Sequence, residues 1–142
     1  MNKSYAVFGL GRYGHAVAKE LCLGGADVLA VDIDETLVNS TIVDVPLCKC
    51  ADVTDPETIK KLGVAQMDVV IVAMANNLEA SVMAIMLCKE LGVPTVIAKC
   101  KDEIQGKILS RSCRCCGCGL WRNRNGRLRR HKSVCGNSGT II

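Results

Sequence analysis

A glycine-rich turn near the start of the chain constrains the fold more than any other stretch. Residues 5–14 read YAVFGLGRYG, and a helical pattern over residues 13–23 follows directly. In this G-x-G-x-x-G spacing, Gly9 allows a sharp turn after a strand, Gly11 leaves room for a pyrophosphate, and Gly14 lets the helix pack closely on the strand. The pattern predicts a phosphate-binding turn whose anion would face the N–H groups of the helix N-terminus.

A carboxylate after the next apolar run strengthens that prediction. Residues 28–31 read VLAV, and Asp32 follows them 18 residues after Gly14. An acid at this place accepts hydrogen bonds from ribose hydroxyls in dinucleotide-binding βαβ units. Asp34 makes the expected pocket doubly acidic and no arginine accompanies it, which favours NAD or a plain adenine nucleotide over NADP. The alternative is a βαβ unit that needs small residues only because its turn is tight.

Arg12 stands inside the glycine turn, where phosphates would lie. A helix N-terminus stabilises an anion by about 0.3–1 kcal/mol, whereas a charged hydrogen bond from a guanidinium contributes about 1.5–3 kcal/mol. Arg12 would therefore determine how many phosphates the site holds. The alternative is an arginine that is simply solvated.

Strand and helix patterns alternate through the first 110 residues. The predicted strands are 5–8, 28–31, 47–50, 67–74 and 95–98, and the predicted helices are 13–23, 34–42, 56–62, 78–91 and 101–109. Asp34 is expected to cap the second helix, and either Thr54 with Glu57 or Asp55 with Pro56 starts the third. The order predicts an α/β fold, a Rossmann-like doubly wound parallel sheet of about five strands, with ligand over the carboxyl ends of its strands.

Charge and cysteine content change near residue 110. Residues 1–110 carry 10 Lys and Arg against 14 Asp and Glu, whereas residues 111–142 carry 8 basic residues, no acidic one and five of the ten cysteines. We therefore expect a nucleotide-binding domain over 1–110 and an irregular tail over 111–142. The acidic domain argues against a nucleic-acid partner. The chain lacks an apolar run of about 18 residues and a secretory signal pattern, so we expect it to be cytoplasmic.

The predicted helix 78–91 is more apolar than a helix that covers a sheet needs to be. Its apolar residues form one stripe of Leu78, Val82 and Ile85 and a second of Met83, Leu87 and Leu91, with Met86 and Cys88 between them. The second stripe favours a contact with another copy of the chain. Tight packing inside the chain is the alternative.

Several segments together resemble the N-terminal nucleotide-binding domain of Trk/Ktr-type potassium-uptake regulators, the TrkA-N or RCK domain. The segments are VFGLGRYG at 7–14, VLAVDID at 28–34, ADVTD at 51–55, VIVAM at 70–74 and LEAS at 78–81, with Lys99 closing the fifth strand. The likeness runs over residues 4–110. It implies a regulatory subunit without catalysis, located in the cytoplasm at the inner face of the membrane, that forms dimers or rings beneath a membrane potassium transporter.

The same resemblance implies the ligand and the residues around it. Such domains bind NAD(H) or ATP/ADP, and the bound ligand changes the gating of the transporter. By position, the implied site has Gly9, Gly11, Arg12 and Gly14 at the phosphates, Asp32 at the ribose, Ala51 and Asp52 at the adenine, Ala73 and Met74 lining the pocket, and Lys99 facing it. The helix 78–91 would be the surface through which the homo-oligomer assembles.

An NAD-dependent oxidoreductase, or its isolated dinucleotide-binding domain, is the alternative function. Hydride transfer needs a substrate site and usually a positioned acid or base. The chain has two histidines, His15 in the first helix, at the surface or beside the phosphates, and His131 in the tail. We expect no substrate domain from the composition of residues 111–142, and this expectation disfavours an enzyme.

The tail allows three interpretations. Its candidate zinc ligands are Cys113, Cys115, Cys116 and Cys118, with His131 or Cys135. This spacing lacks the paired knuckles of structural zinc sites. An Arg-rich arm for nucleic acid or acidic lipid is the second interpretation. We favour the third, a frameshifted or truncated sequence that would be mostly disordered, because its composition breaks off at the junction.

Overall fold

The computed structural model describes residues 2–111, 120–122 and 128–130, and places side chains up to residue 109. The strands are β1 (Ser4–Phe8), β2 (Asp27–Asp32), β3 (Cys48–Cys50), β4 (Val69–Val72), β5 (Thr95–Ala98), β6 (Leu120–Arg122) and β7 (Leu128–Arg130). The helices are α1 (Arg12–Leu23), α2 (Glu35–Thr41), α3 (Pro56–Lys61), α4 (Leu78–Glu90) and α5 (Glu103–Arg111). The predicted alternation is confirmed. β4 is shorter than predicted because a 3-10 turn over 64–66 precedes it and Ala73 already belongs to the next loop.

The first five strands form one parallel sheet in the order β3-β2-β1-β4-β5. The chain moves outward from β1 to β3 and then returns to the other side of β1, so the direction of winding reverses between β1 and β4. This is the Rossmann-like doubly wound sheet that the sequence predicts. Phe8, the last residue of β1, pairs with Val31 on one side and Val72 on the other. The glycine turn therefore leaves the sheet where a crevice opens at the carboxyl ends of the strands.

Two apolar clusters cover the two faces of this sheet. On β1, Ala6 and Phe8 belong to the cluster under α4, and Val7 belongs to the cluster under α1. All four residues of β4 are buried. This burial explains the run of β-branched residues, because a parallel strand covered on both faces needs apolar side chains at every position.

Four helices begin at side-chain caps, and at α5 Asp102 accepts a hydrogen bond from Gln105 N. The other three caps belong to α2, α3 and α4. Asp34, Asp55 and Asn77 accept hydrogen bonds from Thr36 N, Thr58 N and Ala80 N respectively. Of the two starts predicted for α3, the structure has Asp55 followed by Pro56. The prediction of a capping box from Thr54 and Glu57 is wrong, because the Thr54 hydroxyl donates to Asp52 Oδ1 instead (2.6 Å).

Helix α4 uses part of its second apolar stripe inside the chain. Leu87 and Cys88 are buried, and Leu91 packs against the same core. Met83 and Met86 remain exposed, at 41% and 42%. Internal packing therefore accounts for Leu87, Cys88 and Leu91, three of the five surplus apolar residues, and the two methionines are the rest.

In the tail, β6 and β7 form an antiparallel pair that the sequence does not predict. The cysteines at 113–118, His131 and Cys135 lie outside the described residues, so the zinc, basic-arm and frameshift interpretations stay predictions. Within the described residues, no group of three or more His, Cys, Asp or Glu side chains could hold a metal ion. No helix of the described part is both long enough and apolar enough to cross a membrane.

Candidate functional site

A cleft of about 770 Å³ lies at the carboxyl ends of the five parallel strands. It is bounded by the glycine turn and by the segments that follow β2, β3, β4 and β5. All ten site residues predicted from the sequence line it, namely Gly9, Gly11, Arg12, Gly14, Asp32, Ala51, Asp52, Ala73, Met74 and Lys99. The structure thus brings the ten together, and their contacts with a ligand remain predictions.

The first and third glycines of the turn are required by the chain itself. Gly9 has a φ of 90°, and a Cβ there would lie 2.8 Å from both Ala73 O and Met74 Cγ. A Cβ on Gly14 would collide with the carbonyl oxygen of Gly9 and lie 3.3 Å from Ala73 Cβ. The start of α1 therefore packs directly on the turn, as the motif predicts.

Gly11 is different, because none of the residues that the structure describes requires a glycine there. Its φ is −68°, and a Cβ built on it would meet no protein atom within 4 Å. It is the N-cap of α1, yet no side chain caps the helix and its first turn holds no acid. Free N–H groups at a helix N-terminus, beside a position without a side chain, suit an approaching anion.

The Asp32 carboxylate is held by two backbone N–H groups. Oδ2 accepts from Leu10 N at 2.7 Å, and Oδ1 accepts from Asp34 N at 2.8 Å. These bonds join the glycine turn to the segment after β2. Each oxygen keeps a further lone pair for a ribose hydroxyl.

The cleft is lined by two carboxylates, Asp32 and Asp52, and the second is the residue that the family resemblance implied at the adenine, not Asp34. The Asp34 carboxylate caps α2 and does not line the cleft. Asp52 lines it instead, and its Oδ1 is held by Thr54 N (2.9 Å) and by the Thr54 hydroxyl. The prediction for Asp34 is therefore wrong, because the nearest unpaired N–H groups for its carboxylate are those of its own helix.

Cations line the opposite end of the cleft. Lys99 follows β5, and its Nζ lies 4.8 Å from the centre of the Tyr13 ring, a cation–π distance. Arg12 and Lys101 also line the cleft, and neither has a carboxylate partner among the described residues. The cleft is thus acidic over β2 and β3, and its cations lie at the start of α1 and in the segment after β5.

Sequence reasoning missed Tyr13, Lys101 and Asn77, all of which line the cleft. Each lies within two residues of a predicted site residue or at a helix cap, so proximity to the carboxyl end of a strand was the usable signal.

His15 does not line the cleft. Of its two predicted positions, the structure therefore agrees with a place at the surface and not with one beside the phosphates. Its Nε2 lies 2.8 Å from Asp44 Oδ2, and Lys19 Nζ lies 3.2 Å from Asp44 Oδ1. The hydrogen bond with His15, followed by that with Lys19, lowers the pKa of the Asp44 carboxyl below its ordinary value.

Comparison with known proteins identifies relatives with the same domain. The TrkA-N domain model matches residues 5–113. The Ktr system potassium uptake protein C of Bacillus subtilis (strain 168) is 40% identical over 111 residues, which cover 78% of this chain and 50% of that protein. The Ktr system potassium uptake protein A of Vibrio alginolyticus is 39% identical over 110 residues, with the same two shares. The chain thus spans about half the length of these relatives.

Solved structures share the fold at low sequence identity. The TrkA-N domain of the inner membrane protein ybaL from Escherichia coli aligns with a TM-score of 0.67 at 14% identity, over 78% of this chain and 82% of that one. The NAD(P)-binding domain of an exopolyphosphatase-related protein from Archaeoglobus fulgidus aligns with a TM-score of 0.66 at 19% identity, over 76% and 80%. The family resemblance seen in the sequence is confirmed by the match over residues 5–113, and the chain belongs to the TrkA-N domain family.

Proposed function

We propose that this chain is a nucleotide-binding regulatory subunit, or the nucleotide-binding part of one, in a membrane potassium-uptake system. The observation that carries the proposal is the cleft, in which ten residues from five loops surround one space with an anchored carboxylate at the tip of β2. Membership of the TrkA-N family and the potassium-uptake names of the relatives support it.

The ligand that suits the cleft is NAD(H) or ATP/ADP. The ribose would bind Asp32, the adenine would lie towards Ala51 and Asp52, and the phosphates would face Gly11 and Arg12. A 2′-phosphate would bring a second negative charge up to Asp32, which disfavours NADP. Beyond the phosphates, a nicotinamide nucleotide or a further phosphate would reach the basic end of the cleft at Lys99.

Regulation suits these residues better than catalysis. The ionisable side chains around the cleft are Asp, Arg, Lys and Tyr, and among the described residues no histidine lines it. An NAD-dependent oxidoreductase would also need a substrate site beside an acid or base, and Asp32 is already held by two backbone N–H groups. A regulator needs only ligands that favour different conformations by about 1–3 kcal/mol.

The proposed partners are a membrane potassium transporter subunit and further copies of this chain. The exposed Met83 and Met86 on α4 suit a contact between copies, since exposed apolar side chains gain by leaving water. Such an assembly would lie in the cytoplasm, against the inner face of the membrane, where its shape controls the transporter.

Calorimetric titration of the full chain with NADH, NADPH, ATP and ADP tests the binding step. We expect NADH, ATP or ADP to bind more tightly than NADPH, and Asp32→Asn to weaken binding about tenfold or more, as the loss of a charged hydrogen bond of about 1.5–3 kcal/mol requires. Asp34→Asn is the matched control, because that carboxylate caps α2 outside the cleft. A folded chain that binds none of the four would overturn the proposal.

The transport role needs a separate test. The chain would be expressed in a bacterial strain that keeps a Ktr-type transporter subunit but lacks its regulatory subunit, and potassium uptake would be measured. We expect the wild-type chain to alter uptake and Asp32→Asn to alter it less. Equal uptake with the wild-type chain and with none would refute the regulatory role, whatever the chain binds.

A further inference from the structure

One buried amide joins two loops of the cleft. Gln105, in the first turn of α5, is only 8% exposed. Its Nε2 donates to Ala75 O at 2.9 Å, and its Oε1 accepts from Lys101 N at 2.7 Å. Ala75 belongs to the loop after β4 and Lys101 to the segment after β5, and both residues line the cleft. A single side chain therefore fixes the spacing of the two loops at the basic end of the cleft.

The loop after β4 is held at consecutive carbonyls. The buried Ser81 hydroxyl of α4 donates to Met74 O at 2.8 Å, next to the carbonyl of Ala75 that Gln105 holds. Ser81 and Gln105 are two of the three buried polar residues in the described part of the chain. Because a buried carbonyl that loses its partner is costly, these bonds oppose any movement of the loop.

Helix capping explains only part of what Gln105 does. Its backbone N–H donates to Asp102 Oδ1 at 2.8 Å, and its side chain reaches back to Lys101 N in the manner of a capping box. A cap of this kind uses the Oε1 acceptor alone. The Nε2 bond to Ala75 spans 30 residues of sequence and adds nothing to the cap.

We propose that Gln105 is a positioning residue for the part of the ligand that lies over β4 and β5, and that it links occupancy of this part to α5. The proposal rests on nucleotide binding in the cleft as proposed above. The strand order places the Asp32 end over β2 and β3, so the group beyond the phosphates of a dinucleotide lies over the two loops that Gln105 joins. NADH has such a group, and AMP lacks it.

The test compares NADH with AMP on the full chain by calorimetry. Gln105→Glu keeps an acceptor for Lys101 N but cannot donate to Ala75 O when ionised. We expect its Kd for NADH to rise about tenfold and its Kd for AMP to stay within about twofold. Gln105→Met loses both bonds without burying a charge. It should likewise raise the Kd for NADH and not that for AMP, and it replaces Gln105→Glu if that variant does not fold.

Asp102→Ala is the control for a purely structural role. It removes the bond to Gln105 N and leaves the bond to Ala75 O in place, so it should lower the Tm without separating NADH from AMP. Hydrogen exchange adds a second readout: NADH should slow exchange in residues 103–111 of the wild type more than in Gln105→Met.

The outcomes separate the role of Gln105 from nucleotide binding in the cleft. Equal losses for NADH and AMP, or no loss for either, would overturn the role of Gln105 while leaving nucleotide binding intact. A wild-type chain that binds neither compound would overturn nucleotide binding and the role of Gln105 together.

Discussion

The replacement of Gly14 by alanine tests the geometry of the glycine turn most directly. Gly14 lies in the first turn of α1 without a left-handed backbone, so helix propensity alone predicts that alanine stabilises the chain by about 1 kcal/mol. The structure predicts the opposite sign. The new Cβ would overlap the carbonyl oxygen of Gly9, would lie 2.8 Å from the Gly9 carbonyl carbon and would press on Ala73 at 3.3 Å.

The size of the loss follows from what would have to move. Two of the three atoms in contact are backbone, so no flexible side chain can turn away, and α1 must shift off the turn. Overpacking of a rigid site costs about 1–3 kcal/mol, and the shift also strains the bond from Leu10 N to Asp32. The strained hydrogen bond adds about 1 kcal/mol to this cost, and the helix propensity of alanine returns about 1 kcal/mol. We therefore expect Gly14→Ala to lower the free energy of unfolding by about 1–3 kcal/mol.

Urea unfolding followed by circular dichroism measures this difference. Gly11→Ala is the matched control, because its Cβ meets no protein atom and its φ is ordinary. Alanine is a poorer N-cap residue than glycine but stiffens the unfolded chain, and these two effects oppose each other. That variant should therefore change its free energy of unfolding by less than about 1 kcal/mol, and it should lose affinity for NADH or ATP if phosphate occupies the turn. A Gly14→Ala chain as stable as the wild type would refute the close packing of α1 on the turn.

Three further perturbations test the ligand, a charge cluster and assembly. Arg12→Ala should weaken ATP about tenfold or more in calorimetry while changing adenosine little, since only phosphates meet the guanidinium; equal losses would contradict this. The hydrogen bond with His15 is the main cause of the lowered pKa of Asp44. The ionised carboxylate therefore stabilises the folded chain above pH 3.8, and this stabilisation is lost as the pH falls through the lowered pKa. The difference in urea midpoint between wild type and Asp44→Asn should therefore vanish towards pH 2, and a difference that persists there would refute it. Met83→Glu should reduce the mass measured by sedimentation and Val43→Glu, at an 83% exposed site off α4, should not; equal masses would exclude α4 as the contact.

The fold could be predicted because its signals are local and repeat along the chain. The glycine turn, the β-branched run over 69–72 and the caps at Asp34 and Asp55 each depend on neighbours within a few residues. The parallel, doubly wound sheet followed from the alternation of strands and helices with short connections. The order of its strands, β3-β2-β1-β4-β5, was not predicted and comes from the structure. The glycine motif, Arg12 and Asp32 were read from the sequence pattern, whereas the resemblance to the TrkA-N domain implied the remaining site residues. All ten line one cleft, because parallel strands bring their carboxyl ends together.

Sequence reasoning failed where one side chain had two partners within reach. The Asp34 carboxylate could have faced the cleft or the N–H groups of α2. It caps the helix, because the N–H donor of Thr36 lies only two residues away. Gln105 gave no signal at all, since its bond to Ala75 depends on the packing of α5 against the loop after β4. The sequence also could not divide the second stripe of α4 between internal packing and an outer contact, because the burial of Leu87 and Cys88 depends on neighbours distant in sequence.

The layout of the cleft constrains how a regulator of this kind could distinguish its ligands. NADH and ATP share the adenosine that would lie over β2 and β3, and a ligand shifts a conformational equilibrium only through contacts that differ between states. The parts that differ would lie over the loops at 73–77 and 99–101, which lead directly into α4 and α5. These helices carry exposed apolar side chains, Met83 and Met86 on α4 and Ile104 on α5. A signal that depends on which nucleotide is bound should therefore leave the cleft through these two loops. Because Gln105 of α5 is bonded to both loops, a movement of either loop should also move the helix.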